Sequence, residues 1–165
     1  MPPPESAPLP DSIHLRTFQP ADTEALCRLL ETGTFGSWPT QRLDALFDHE
    51  IDRLSPRHVH LATHGNDLVG HCCLMVRDEP EGTVGKLGWV VVHPRFRGQG
   101  IGRAVCTAAL QSAHQLGLET VILDTEDFRI SAVRLYLELG FEPVLGDSDA
   151  NDQFWADRIE FPNPT

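Results

Sequence analysis

The stretch Val92-His93-Pro94-Arg95-Phe96-Arg97-Gly98-Gln99-Gly100-Ile101-Gly102-Arg103 decides the fold. Ahead of it, Val84 to His93 is an apolar run whose consecutive valines Val90, Val91 and Val92 are what a strand covered on both faces contains. Behind it, the alanine-rich segment from about Gly100 to Leu116 has helical composition. A strand, a glycine turn and a helix in that order place backbone amides where they can face an anion. Glycines permit the tight turn and close approach, the helix N-terminus adds partial positive charge, and Arg95, Arg97 and Arg103 add cations. Arg97, Gly98, Gln99, Gly100, Ile101, Gly102 and Arg103 therefore form a candidate pyrophosphate site.

Two common phosphate motifs fit this turn poorly. A P-loop needs Gly-Lys-Ser/Thr at a fixed distance after its first glycine, and none follows here. The dinucleotide pattern GxGxxG matches at Gly98 and Gly100 but meets Arg103 at the third glycine, although Asp124 at the end of the next strand imitates its acidic residue. The turn also sits in mid-chain behind antiparallel strands, with too little sequence after it to complete a doubly wound sheet.

Working outward toward the C-terminus, Glu119–Thr125 reads as a strand and Ile130–Leu139 as a helix with Ala132, Leu135, Tyr136 and Leu139 on one face. Gly140 caps that helix, and Phe141–Leu145 and Phe154–Phe161 supply two closing strands across GDSDAND. Toward the N-terminus, His58–Thr63 and Leu68–Arg77 pair as a hairpin through the turn His64-Gly65-Asn66-Asp67. Before them come a strand over Ser12–Phe18, a helix carrying Leu26, Leu29 and Leu30 to near Gly33, the segment GTFGSWP, and an amphipathic stretch from Thr40 to Leu54. The expected fold is a single α/β domain over residues 11–165, a mixed, mostly antiparallel sheet with helices on both faces, after a flexible proline-rich tail over 1–10.

A chain of 165 residues buries a core without staples, and 41% apolar with 22% charged residues excludes a wholly disordered chain. A net charge of −11 makes nucleic acid an unsuitable partner, since phosphates demand a basic footprint. The four cysteines form no CxxC pair and fit reduced thiols in the cytoplasm, and no run approaches a membrane span or an exported leader. His58, His60, His64 and His71 lack the partners of a metal site and read as scattered hairpin histidines, so no metal is expected.

Val92-His93-Pro94 through Arg103, then Ala132-Val133-Arg134-Leu135-Tyr136 and Gly140-Phe141, resembles the GNAT superfamily of N-acetyltransferases. The signature Arg/Gln-x-x-Gly-x-Gly/Ala is met by Arg97, Gly100 and Gly102, and A-x-x-L-Y-x-x-x-G-F is met from Ala132 to Phe141. The resemblance implies acetyl-CoA as co-substrate, with backbone groups of Val90, Val91 and Val92 on a splayed strand holding the pantetheine arm and acyl group. It implies Tyr136 as the acid that protonates the coenzyme thiolate. Asp124 is the expected base, with Glu126 and Asp127 as competitors and Asp127 alternatively a helix cap. Arg129 stands where family members often carry an asparagine that contacts the cofactor, which points it toward a coenzyme phosphate or a substrate carboxylate. Trp38 and the segment Thr40–Leu54 are expected to line the acceptor pocket. The implied reaction is acetyl transfer to a primary amine of a small molecule or peptide in a ternary complex, by a homodimer. A non-catalytic acyl-CoA-binding sensory module is the competing expectation.

Overall fold

The computed structural model describes residue 5, residues 8–126 and residues 128–143. The chain forms two compact units, Met1–Asp124 and Thr125–Thr165. The first contains a five-stranded sheet in the order β1-β2-β3-β4-β5, with β1 Ile13–Thr17, β2 Arg53–His64, β3 Asp67–Glu79, β4 Gly82–Val92 and β5 Val121–Leu123. The first four strands pair antiparallel and β5 joins β4 in parallel, which is the mixed, mostly antiparallel sheet that the sequence implied.

Local chemistry explains the N-terminal elements. Pro20 opens a short 3-10 turn, where its fixed φ suits the first helical position and its missing N–H leaves nothing unpaired. The Asp22 carboxylate accepts from the Gln19 amide at 2.8 Å and from both terminal nitrogens of Arg16 at 2.6 and 2.7 Å, so β1 is tied to the entrance of α1 (Thr23–Glu31). α1 turns Leu26, Leu29 and Leu30 onto one face of the sheet, where they meet Val59, Leu61, Cys73, Met75 and Val91. Burying each such aliphatic chain contributes about 2 kcal/mol.

α2 spans Thr40–Phe47 and buries Leu43 in the same core. The amphipathic stretch expected to run to Leu54 therefore stops seven residues early, because Arg53 and Leu54 already belong to β2, opposite Val76 and Met75. Pro56 biases Ser55 toward extended backbone and against helix, and the Arg77 guanidinium grips Asp52 at 2.7 and 2.8 Å. Pairing with β3 overrides a helical pattern there. The hairpin turn falls as expected: Gly65, at φ +58, and Asn66 form a two-residue loop between paired His64 and Asp67.

α3, Ile101–Gln115, covers the opposite face with Ile101, Ala104, Val105, Ala109 and Ala113. Gly70 lets it lie close to β3, since a Cβ there would run into the Ile101 side chain. In the second unit, α4 covers Ile130–Glu138, and Gly140 follows at φ +92, the left-handed conformation of a glycine helix stop. The closing strands expected over Phe141–Leu145 and Phe154–Phe161 lie outside the described residues, apart from Phe141–Pro143, which carry no strand.

Candidate active site

Two residues of β4, Trp89 and Val90, stand against the single residue Cys72 of β3, because His71 pairs with Val91 while Cys73 pairs with Gly88. This is a β-bulge, and Trp89 holds φ +52, the one positive φ outside glycine among the described residues. On its other edge β4 pairs with β5 only from Gly85 to Leu87. The ladder thus ends before Val90, Val91 and Val92. Val91 is buried and the other two are half-buried.

Immediately beyond, a 3-10 turn over Pro94–Phe96 leads into the glycine turn. Gly98 and Gly100 hold φ +76 and +82; a Cβ on Gly98 would meet nothing within 4 Å, and one on Gly100 would lie 3.8 Å from the Pro8 carbonyl oxygen. Gly100 is the N-cap of α3, and the first helical bond runs from the Ala104 amide to the Gly100 carbonyl at 3.0 Å. The amides of Ile101, Gly102 and Arg103 precede that bond and lie in the turn where a helix has no acceptors of its own. Arg97 donates from Nε to the Val92 carbonyl at 3.3 Å, tying the turn to the end of β4. Arg97, Gly98, Gln99 and Gly100 are exposed, and Arg103 is half-buried. The structure therefore brings Val90–Val92 and Arg97–Arg103 together along one run of backbone, tied by the Arg97–Val92 hydrogen bond.

Asp124 follows β5 and is exposed, with its carboxylate 2.8 Å from Lys86 Nζ. In the second unit, Arg129 is the N-cap of α4, and its Nε and Nη2 both lie 2.8 Å from Glu126 Oε2. Tyr136 is buried on α4, with its ring 6.1 Å from that of Phe141.

A cluster of aromatic residues abuts the bulge from the loop between α1 and α2. Trp38 and Phe35 set their rings edge-on to Trp89 at 4.8 and 5.3 Å, and the Arg42 guanidinium lies 4.1 Å from the Trp38 ring centre. Arg42 also donates to the carbonyls of Phe35 and Ser37 at 3.0 and 2.7 Å. A cleft of 1180 Å³ lined by Thr83, Val84, Leu118 and Glu119 lies at the start of β4, about 30 Å of strand from the glycine turn.

The description "Acetyltransferase (GNAT) family" matches residues 23–141, which run from the first helix through the glycine turn to Phe141. The chain belongs to the GNAT acetyltransferase family. A GNAT relative named mycothiol acetyltransferase, from Thermobispora bispora, is 34% identical over 140 residues, covering 81% of this chain and 48% of that protein. The chain spans about half the length of the curated relatives it matches. Among solved GNAT-fold structures, an acetyltransferase from Trypanosoma brucei superposes with a TM-score of 0.64 at 23% identity, covering 82% of this chain and 96% of that one. A NatC complex bound to Gag peptide and CoA gives 0.68 at 16% identity over 79% and 85% of the two chains. Identities this low carry the fold alone.

Four residues of or beside this candidate site escaped the sequence. Trp89 and its bulge were signalled only by Gly88 within the strand, whose Cβ would lie 2.5 Å from Met75 Cε. Arg42 and Lys86 look like ordinary surface cations. His71 reads as a hairpin histidine, yet it is 1% exposed and its Nδ1 lies 2.7 Å from the Trp89 carbonyl oxygen. His60 is buried too, with Nε2 3.1 Å from Ser112 Oγ. Among the described residues no group of three or more His, Cys, Asp or Glu is arranged to hold a metal ion, and no helix is long and apolar enough to cross a membrane.

Proposed function

We propose that this chain transfers the acetyl group of acetyl-CoA directly to a primary amine of a small molecule or peptide. The observation that supports this reading most is the glycine turn at the N-terminus of α3, with positive φ at Gly98 and Gly100 and open space beside Gly98, joined through Arg97 to the end of β4. The pyrophosphate takes the amides of the glycine turn, with Arg97 and Arg103 beside it. The pantetheine arm runs along the backbone of Val90–Val92, past the end of the β5 ladder.

In the reaction the amine nitrogen forms a bond to the thioester carbon as the carbon–sulfur bond breaks. The carbonyl oxygen gains charge that the Val92 backbone amide region stabilises, as preorganised donors do. Tyr136 gives its hydroxyl proton to the leaving thiolate, and Asp124 accepts the proton that the amine sheds. Lys86 at 2.8 Å restrains that base, so Asp124 acts only if an arriving substrate displaces the lysine. Arg129, already paired with Glu126, contributes a partly neutralised cation to a coenzyme phosphate or a substrate carboxylate. The names of the relatives make a mycothiol-type acceptor the first to assay. The four cysteines are free and buried, which suits a reducing cytoplasm.

A sensory module that binds acyl-CoA without turnover is the second reading, favoured by the ion pairs that occupy both Asp124 and Arg129. Thermal unfolding in the presence of acetyl-CoA, CoA and NAD tests the shared premise, because a ligand selective for the folded state raises its melting temperature. Stabilisation by both coenzyme A forms and not by NAD is expected, and no shift with either removes the proposal. Thiol release across an amine panel, lost in Tyr136→Phe with coenzyme affinity kept, then separates enzyme from sensor.

A further inference from the structure

The buried imidazole of His71 lies on β3 opposite Val91, with Nδ1 2.7 Å from the carbonyl oxygen of Trp89. A carbonyl oxygen only accepts, so Nδ1 carries the hydrogen and donates it. Burial pushes the imidazole pKa down to about 4, which keeps the ring neutral and its tautomer fixed near neutral pH. The acceptor is the carbonyl of the bulged residue, which has left the regular ladder and holds a strained positive φ.

The bulge decides which way the next residues face. Gly88 shares a face with Met75 and Cys73, since those are what its Cβ would meet, and Val91 packs into the same core as they do. Gly88 and Val91 are three apart, whereas residues on one face of a regular strand are separated by an even number. One inserted residue therefore reverses the in–out pattern of β4 before Val90–Val92, and its loss would turn each of their amides and carbonyls to the other edge.

We propose that His71 is a positioning residue: its Nδ1–H pins the Trp89 carbonyl, holds the β4 bulge, and so fixes which backbone groups of Val90–Val92 are offered to the acyl-coenzyme. The same bond sets the ring of Trp89 against Trp38 and Phe35. This inference rests on the acyltransferase reading for its consequence in binding, but the pinning itself is independent of it.

The test compares His71→Leu, which fills the space without a donor, with His71→Asn, whose side-chain N–H can replace Nδ1–H. Three readouts are taken on the whole chain: hydrogen exchange at the Val90–Val92 amides, the near-ultraviolet circular dichroism of the tryptophans, and calorimetric affinity for CoA without acceptor. His71→Leu is expected to exchange faster at those amides, to lose the tryptophan band, and to bind CoA about tenfold more weakly. His71→Asn is expected to recover most of all three. Wild-type exchange and dichroism in His71→Leu overturn the proposal, as does an Asn variant no better than Leu. Should His71→Leu not fold, nitrogen NMR of the unmodified protein decides: a protonated, slowly exchanging Nδ1 upholds the bond and an unprotonated one overturns it. A wild-type protein that binds no CoA removes the acyltransferase reading, while exchange and dichroism still decide the role of His71.

Discussion

Gly98, Gly100 and Gly70 are glycines for different reasons, and substitution separates them. At Gly98 and Gly100 the left-handed backbone is the constraint, since a side chain at Gly98 would enter open space. Alanine there costs about 1–2 kcal/mol of backbone strain, relieved by reshaping the turn. Gly98→Ala is therefore expected to weaken CoA binding about tenfold while the melting temperature moves little, as calorimetry and thermal unfolding would show. At Gly70 the constraint is space: an added methyl lies 2.4 Å from Ile101 Cγ2 and 3.1 Å from the Ala62 Cβ. Gly70→Ala pushes α3 off the sheet and is expected to destabilise the protein by about 1–3 kcal/mol, the usual range for overpacking, measured by urea unfolding. A Gly70→Ala protein of wild-type stability would mean that α3 rides on the sheet more loosely than its alanine face indicates.

At the scale of elements, β4 carries the site and the loop after α1 closes over one side of its bulge. Arg42 holds that loop by two carbonyl bonds and by its stacking on Trp38, an arrangement worth roughly 1–2 kcal/mol when partly desolvated. Arg42→Ala is expected to raise the acceptor KM several-fold with the acetyl-CoA KM unchanged, and equal effects on both would place the loop outside acceptor binding. The antiparallel strands β1 to β4 and the glycine turn were legible because each rests on local chemistry: apolar–polar alternation in the sequence of Ile13–Thr17, a Gly-Asn loop after His64, and Gly98 and Gly100 where φ turns positive. The end of α2 and the bulge were not. Arg53 and Leu54 continue a helical pattern but are captured by pairing with Val76 and Met75. The carbonyl of the bulged Trp89 takes a hydrogen bond from His71, eighteen residues away, and Gly88 is the one local mark of it in the sequence.

For the whole molecule, two buried histidines and two gripped carboxylates set the response to acid in separate ranges. Burial lowers the pKa of His60 and of His71 from 6.5 to about 4. Between those values the unfolded chain binds protons that the folded one refuses, so stability is complete above about pH 6.5 and falls as the pH drops toward 4. The loss has a ceiling of about 3 kcal/mol for each histidine. Asp22 and Asp52 act lower, because hydrogen bonds from Arg16 and Arg77 hold their pKa values below the ordinary 3.8. Their contribution survives through the histidine range and is lost only as the pH falls past 3.8 toward their lowered folded values. Urea midpoints are therefore expected to drop between pH 7 and pH 5, before any carboxylate pair is threatened. His71→Asn should flatten that slope, since one of the imidazoles that burial holds neutral is gone while His60 and His58 remain and the donor to Trp89 is kept. A slope unchanged in His71→Asn would assign the proton uptake to other groups and leave His71 titrating normally inside the core.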